Sequence, residues 1–428
     1  MRLSDYSQSG GRGLFRRDRR IYDKTGTFTF LIPDGVTKVW AFAIGAGGGG
    51  AYTSTQSGIL KGGEGGGYAS GIISGLTPGG TLTVTVGAHG EGGDGIHTET
   101  DGGNTTLAGG GTTYLTANGG DKAPTSKVTS DNGTQVGQGG SASTSGVTDA
   151  YTAAGGGGGQ YSGGAGINDM SPSQLSSAYG GGSSGTPNGP GCPPPRIIMK
   201  KYCAAGGGGW AQMLPTYDRL CNLNSGSWTL ASCPTSGAGS HTIPQIFGAT
   251  PSTSNTGTTG WQRGGDGQKA RGGISYNLNA ATGTDNDQYR RFQQFLVDSE
   301  SKLHGEDGNP NWWFPWEIDG GGGGSLSLTT YQVGWKAGNG GPGAGGGGAY
   351  GEGSDVSIAA GGDGGFGGGG GGALNTGNNN TKPNLALGGR GGNGGGGGSV
   401  WSDTGSNYGT IQSGKGGDGG DGAIGIYW

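Results

Sequence analysis

Lys415-Gly-Gly-Asp418-Gly-Gly-Asp421-Gly-Ala-Ile424 sets its large side chains three residues apart. The same beat recurs in Lys61-Gly-Gly-Glu64, Glu91-Gly-Gly-Asp94, Asp363-Gly-Gly-Phe366 and Arg390-Gly-Gly-Asn393. A period of three fits neither the 3.6-residue helix nor the two-residue strand repeat. It is the period of polyproline II, whose backbone makes no internal hydrogen bonds and points every N–H and C=O sideways. Where glycines line two faces of such a thread, neighbouring threads can approach closely enough to bond laterally. The third face is left for Lys, Asp, Asn or Arg. The pattern therefore predicts a polyglycine-II helix bundle.

Composition offers a competing reading. With 114 glycines and 17 prolines in 428 residues, the chain sits near the level that marks low-complexity, disordered sequence, and an isolated glycine run is a flexible linker. Against this, the runs alternate with well-patterned apolar segments. Thr27-Phe28-Thr29-Phe30-Leu31-Ile32 is a strand candidate closed by the turn Pro33-Asp34-Gly35. Val36 to Ile44 resumes as a second strand and runs into Gly45-Ala46-Gly47-Gly48-Gly49-Gly50. Thr81 to Val86 alternates, with Leu82, Val84 and Val86 on one face. Ile424 to Trp428 closes the chain as a short strand. The expected fold is mostly β and irregular, with short strands leading into the glycine bundle.

From 187 to 336 the composition changes. All four cysteines and seven of the ten tryptophans lie here. Asp285 to Leu303 reads as a helix, with Tyr289, Phe292, Leu296 and Leu303 on one face, a cap at Thr284 or Asp285, and Gly305 as its stop. This block is expected to be an inserted α+β subdomain. The domain reading is then a 1–26 Arg-rich attachment arm, 27–186 strands plus glycine scaffold, the 187–336 insertion, and a returning bundle over 337–428. Cys192, Cys203, Cys221 and Cys233 lack the close pairs of zinc sites. Local disulfides and buried thiols both remain open for them.

Apolar residues are 29%, so one large oily core is not expected. A net charge of −4 argues against broad nucleic-acid binding. No stretch reaches the length of a membrane span, and the N-terminus lacks the apolar region of a secretory signal. Arg12, Arg16, Arg17, Arg19 and Arg20 form a basic run, read either as a solvated arm or as a dock for an acidic partner.

The chemistry-bearing motifs are sparse. Gly416 to Ile424 fits one calcium-binding nonapeptide, but such sites need stacked copies, and His89 to Ile96 is only a partial echo. No glycine stretch ends in the Gly-Lys-Ser/Thr of a phosphate loop. Asn311-Trp312-Trp313-Phe314-Pro315-Trp316-Glu317-Ile318-Asp319 offers flat rings beside carboxylates, as sugar-binding surfaces do, or else forms the core of the insertion. Glu317 and Asp319 share a face if the segment is a strand, although a glycosidase pair also needs the right separation. The four histidines, His89, His97, His241 and His304, have no triad or metal spacing. Neither an enzyme nor any cofactor or metal is implied.

Thr27 to Ala51 (TFTFLIPDGVTKVWAFAIGAGGGGA), Leu76 to Ala88 (LTPGGTLTVTVGA), Gly102-Gly-Asn104-Thr105-Thr106-Leu107 and the ending GGDGGDGAIGIYW resemble the glycine-rich domains of bacteriophage tail-fibre proteins. The likeness covers roughly 27–120 and 388–428. The three-residue beat is also that of polyglycine-II bundles in tail-tip adhesins, where loops joining the runs contact the host receptor. The resemblance implies a non-enzymatic virion protein of the tail fibre or tail tip, made in the host cytoplasm, that binds a bacterial outer-surface protein or glycan. It places contacts in the loops 121–150, 168–178 and 374–387. Asn378, Asn379, Asn380 and Lys382, together with Trp312, Trp313 and Trp316, are the candidate receptor-binding residues. The Arg-rich arm would join other virion proteins. A decoration protein without a receptor is the alternative, and an ice-binding polyglycine-II protein stands further off. No heptads mark a coiled-coil stalk, so a homotrimer and a monomeric tip are both open.

Overall fold

The computed structural model describes residues 18–54, 62–124, 139–153, 155, 262–263, 274–278, 326–328, 335–341, 345–351, 358–375, 385–402 and 414–428. Among them every regular element is a strand. The first ten strands are β1 (Arg19–Tyr22), β2 (Gly26–Leu31), β3 (Lys38–Ile44), β4 (Tyr52–Thr53), β5 (Tyr68–Ser74), β6 (Thr81–Val86), β7 (Thr105–Gly109), β8 (Thr112–Ala117), β9 (Ala142–Thr144) and β10 (Val147–Ala153). The other eleven are short. They are β11 (Gln262–Arg263), β12 (Ile274–Leu278), β13 (Leu326–Leu328), β14 (Trp335–Lys336), β15 (Ala349–Gly351), β16 (Ile358–Ala360), β17 (Ala373–Asn375), β18 (Leu385–Leu387), β19 (Val400–Ser402), β20 (Gly414–Lys415) and β21 (Ala423–Tyr427). The helix expected over 285–303 and the four cysteines lie outside the described residues.

Two five-stranded antiparallel sheets, ordered β1-β21-β3-β5-β10 and β2-β6-β7-β8-β9, form a sandwich. Alternation makes it. Phe30, Leu82, Val84, Val86, Leu107 and Leu115 of the second sheet meet Val39, Ala41, Ala43, Ile73, Ile424 and Ile426 of the first. The outward positions Thr27, Thr29, Thr81 and Thr83 are exposed. The central strands of the first sheet are buried on both faces, so β3 reads as a continuous apolar run. Its other face sets Trp40, Phe42 and Ile44 against Tyr68, Ile72, Tyr427 and Phe366. Gly425 lies under the Phe42 ring, where a Cβ would collide with it.

Most sandwich strands continue as glycine threads. In the thread that leaves β3, successive amides bond in different directions. Gly47 N–H donates to Gly420 C=O, Gly48 to Glu64 and Gly49 to Thr100, before Gly50 returns to Gly417, at 2.9–3.0 Å. Its carbonyls accept from further neighbours: Gly90 donates to Gly47, Gly397 to Gly48, and Ala123 to Gly49. A strand bonds to two sides; this thread bonds to six others. The spacing of the bonds is three residues. Gly361, Gly364, Gly367 and Gly370 donate in turn to Leu387, Arg390, Asn393 and Gly396. The segments 27–186 and 337–428 thus share one lattice, and the division between them is not a boundary between folded units.

The second glycine-rich segment is a stack of thread hairpins. β16 leads into a thread that reverses at Phe366-Gly367 and returns to β17, and β18 does the same through Asn393-Gly394 to β19. Each reversal is closed by an N–H to C=O bond, Gly368 to Gly365 and Gly395 to Gly392. Gly367 (φ 72°) and Gly394 (φ 76°) take the left-handed position such turns demand. The incoming strands form the parallel sheet β14-β16-β18-β20, and the outgoing strands β13, β15, β17, β19 and β4 lie side by side in a second sheet. Phe366 and Asn393 place the turns against the sandwich, Asn393 donating to the carbonyls of Asp23 and Gly422.

Three readings change. The arm assigned to 1–26 gives way at Arg19, because β1 pairs with β21 and Tyr22 enters the core. The loop assigned to 121–150 contains β9 and most of β10, which complete the two sheets. The 374–387 loop begins in β17 and ends in β18. A Cβ on Gly392 would overlap the carbonyl of Gly365. Gly392→Ala is therefore expected to lower stability by about 3 kcal/mol, and Arg390→Ala, two residues away, by less than about 1 kcal/mol; urea unfolding of both variants checks this. A chain beginning at Gly26 is expected to lose about 3 kcal/mol or more relative to one beginning at Asp18, since Tyr22 leaves the core.

Candidate functional site

The side chains at every third position were expected to stand in water. The structure gives many of them a second task. Amides at these positions point out of the lattice, and a neighbouring side chain accepts from them. Asn339 Oδ1 accepts from Asp363 N–H and Asp363 Oδ1 from Arg390 N–H, both at 2.8 Å. Asp418 Oδ1 accepts from Gly92 N–H at 2.9 Å, and Asp421 Oδ1 from His89 N–H at 3.1 Å. The Thr100 hydroxyl does the same for Glu91, and the buried Thr105 hydroxyl accepts from Gly87 N–H in the interior. Short acceptors at this spacing are the signal that could have revealed the role, because Asp, Asn and Thr reach a nearby amide and Lys does not.

The charges on this face are also paired. Lys336 bridges Asp363, Lys415 bridges Asp418 at 3.1 Å, and Arg390 lies 3.9 Å from Asp421. His89 Nδ1 sits 2.6 Å from Asp421 Oδ1. Burial pushes the Asp418 carboxyl up, but the Gly92 amide and Lys415 together outweigh it and hold it below its ordinary value. Among the described residues no three His, Cys, Asp or Glu side chains are grouped to hold a metal ion. Asp418 and Asp421, the carboxylates of the nonapeptide-like ending, are engaged in these bonds.

The opposite end of the lattice has a different character. The thread units 358–375 and 385–402 are identical in length, and their strands pair in register: Ile358 with Leu385, and Asn375 with Ser402. The stretches between units, 352–357, 376–384 and 403–413, all differ in length. Each departs from one parallel sheet and rejoins the other. The points of departure Gly351, Asn375 and Ser402 therefore lie side by side, as do the points of return Ile358, Leu385 and Gly414. This end lies across the length of the threads from the turns that touch the sandwich.

A compact described turn lies at the same end. Asp94 Oδ1 accepts from Ile96 N–H at 2.9 Å and from His97 N–H at 2.7 Å, and its carboxylate pairs with the His97 ring at 3.0 Å. A Cβ on Gly95 would press on the Tyr52 ring of β4, which fixes the turn beside that strand. Ile96 is 72% exposed. The His97 amide, the His97 ring and then the Ile96 amide hold the Asp94 carboxyl well below its usual range. The Asp94 hydrogen bond and charge push the His97 imidazole up.

Of the residues singled out in the sequence, Arg19 and Arg20 lie on β1, with the Arg20 guanidinium 5.7 Å from the centre of the Tyr22 ring. Arg12, Arg16, Arg17, Trp312, Trp313, Trp316, Asn378, Asn379, Asn380 and Lys382 fall outside the described residues, as do Cys192, Cys203, Cys221 and Cys233. The stretch 376–384, which holds the three asparagines and Lys382, spans Asn375 and Leu385 at the varied end. No protein-family model matches this chain, and no curated protein matches it.

The 94–97 turn is expected to respond to pH from both sides. A raised His97 pKa adds stability below the ordinary imidazole value near 6.5, which is lost as pH rises through the folded value. A lowered Asp94 pKa adds stability above the ordinary carboxylate value, which is lost as pH falls through the folded one. Titration of the His97 ring by NMR should give a midpoint above that of a model peptide, and Asp94→Asn should bring it down. An unmoved midpoint would exclude the pair as the cause.

Proposed function

We propose that this chain is a virion protein of a bacteriophage tail fibre or tail tip, acting as a non-enzymatic adhesin for the host surface. In this reading the threads are a polyglycine-II bundle, a stiff scaffold whose stability resides in backbone hydrogen bonds. The observation that carries the proposal is the contrast in length: thread units of one length, joined at one end by connections that each differ. Loops that contribute little to stability can change without unfolding the scaffold, and receptor recognition needs that freedom. The resemblance of 27–120 and 388–428 to tail-fibre glycine-rich domains points the same way.

Receptor contacts are assigned to the varied end, with Asn378, Asn379, Asn380 and Lys382 on the 376–384 connection. Trp312, Trp313 and Trp316 are a second set, belonging to the insertion. Amide and ammonium donors on one set and aromatic rings on the other both suit a polar target such as a surface glycan or an extracellular protein loop. The basic residues before β1 would join the chain to other tail proteins.

The purified full chain, fluorescently labelled, is expected to adsorb to host cells and to block infection. Replacing 376–384 by a Gly/Ser linker of equal length should reduce adsorption at least about tenfold while leaving the unfolding midpoint in place. If the intact chain neither adsorbs nor blocks infection, the decoration-protein reading takes over.

A further inference from the structure

An edge strand offers a row of free amides to any chain that can pair with it, and folded proteins guard such edges by shortness, charge or bulges. The sandwich has four edges. β9 spans three residues. β1 spans four and carries Arg19 and Arg20. β10 is interrupted between Thr148 and Tyr151, with Asp149 in the left-handed region at φ 49°. β2 has none of these guards. It spans six residues, GTFTFL, without a charge, a proline or a shift of register against β6. Among the described residues β6 is its only strand partner. Leu31, at its end, is 64% exposed.

The direction of its free groups follows from the pairing. Ile32 N–H donates to Gly80 C=O at 2.9 Å, in the register that pairs Phe30 with Leu82 and Phe28 with Val84. Antiparallel strands alternate bonded and non-bonded residues. Phe28 and Phe30 therefore bond to β6, and the N–H and C=O groups of Thr27, Thr29 and Leu31 point outward.

We propose that β2 pairs antiparallel with β2 of a second copy of this chain, about a two-fold axis through Thr29, so that the two five-stranded sheets become one continuous sheet. In this register Thr29 faces Thr29 of the second copy, and Thr27 faces its Leu31. All three outward-pointing residues of one copy then meet those of the other. Core-facing Phe28 aligns with Phe30 of the second copy, so inside meets inside. Leu31 then lies beside Thr27 of the second copy, which covers part of its exposed side chain. Exposed Lys24 lies just before the strand and exposed Asp34 just after it, and the antiparallel arrangement brings each beside the other's counterpart, giving charge complementarity across the axis. A single strand edge buries far less than a standard interface of about 1,600 Å², so the dimer is expected to be weak and concentration-dependent.

Sedimentation velocity on the full chain over a wide concentration range tests this, together with hydrogen exchange of the β2 amides. The expected result is a monomer–dimer equilibrium in which the amides of Thr27, Thr29 and Leu31 gain protection as concentration rises. Thr29→Pro removes an outward N–H that the chain's own sheet does not use and should abolish the dimer without shifting the unfolding midpoint. Thr29→Lys sets like charges face to face and should weaken it at least about tenfold. A chain that stays monomeric at every concentration overturns the proposal, as does a dimer insensitive to both variants. So does a β2 edge that gains protection only with another tail protein.

Discussion

A backbone amide carries one donor and one acceptor, and a buried one needs partners for both. In a sheet those partners lie on two sides and the side chains fill the space above and below. In the thread that leaves β3 no side chain intervenes, and partners lie all round: Gly420, Glu64 and Thr100 accept, while Gly90, Gly397 and Ala123 donate. The rest of the molecule follows from this arrangement. A methyl group at most lattice positions would meet a neighbouring carbonyl oxygen, so glycine is needed there for space and not for an unusual φ. Large polar side chains stand mainly at the third position, where Asp, Asn and Thr accept from neighbouring amides.

Ordering glycine costs more backbone entropy than ordering any other residue, and the threads bury almost no apolar surface in return. Such a lattice is expected to need anchoring, and it is held at both ends. The sandwich sets the register of the threads that continue its strands, through burial of residues such as Phe30, Leu82 and Ile424. At the far end the short parallel strands catch each thread where β-branched or aromatic residues resume, as at Val400 and Trp401 of β19 pairing with Tyr52 and Thr53 of β4. That last pair ties together residues more than three hundred positions apart, and the hydrogen bond from Ala51 N–H to the Ser399 hydroxyl lies beside it.

Much of this was legible from residue pattern. The alternation of Thr81 to Val86 gave β6 its correct inward face, and the turn at Pro33-Asp34-Gly35 separated β2 from β3. The terminal strand was legible as a strand, but its place between β1 and β3 was not, because position within a sheet depends on partners far away in the chain. β1 was hidden by its arginines, which read as a solvated or docking arm, although Tyr22 enters the sandwich core and Ile21 packs on the cluster of the sheet's other face. β9 and β10 were missed because their polar composition, Ala-Ser-Thr and Val-Thr-Asp-Ala-Tyr, carries no alternation strong enough to stand out from loop sequence. At the candidate site, the period of three located the rim positions. It could not show that Asp363 or Asp418 accepts from the next thread, since that depends on lateral register.

The lattice also explains why the connections at one end can differ in length while the thread units do not. Inserting one residue into a thread shifts each later residue to a different neighbour, and every third-position side chain swings into the lattice. Only insertions of whole three-residue steps preserve the pattern, and even these lengthen the thread past its neighbours. The turns at Phe366-Gly367 and Asn393-Gly394 are held just as tightly, by their own closing bonds and by contact with the sandwich. Between β15 and β16, β17 and β18, and β19 and β20 the chain leaves one sheet and rejoins the other over connections of different length. Among the described residues, the differences in length between repeated units thus fall at the end of the threads opposite the turns that touch the sandwich core.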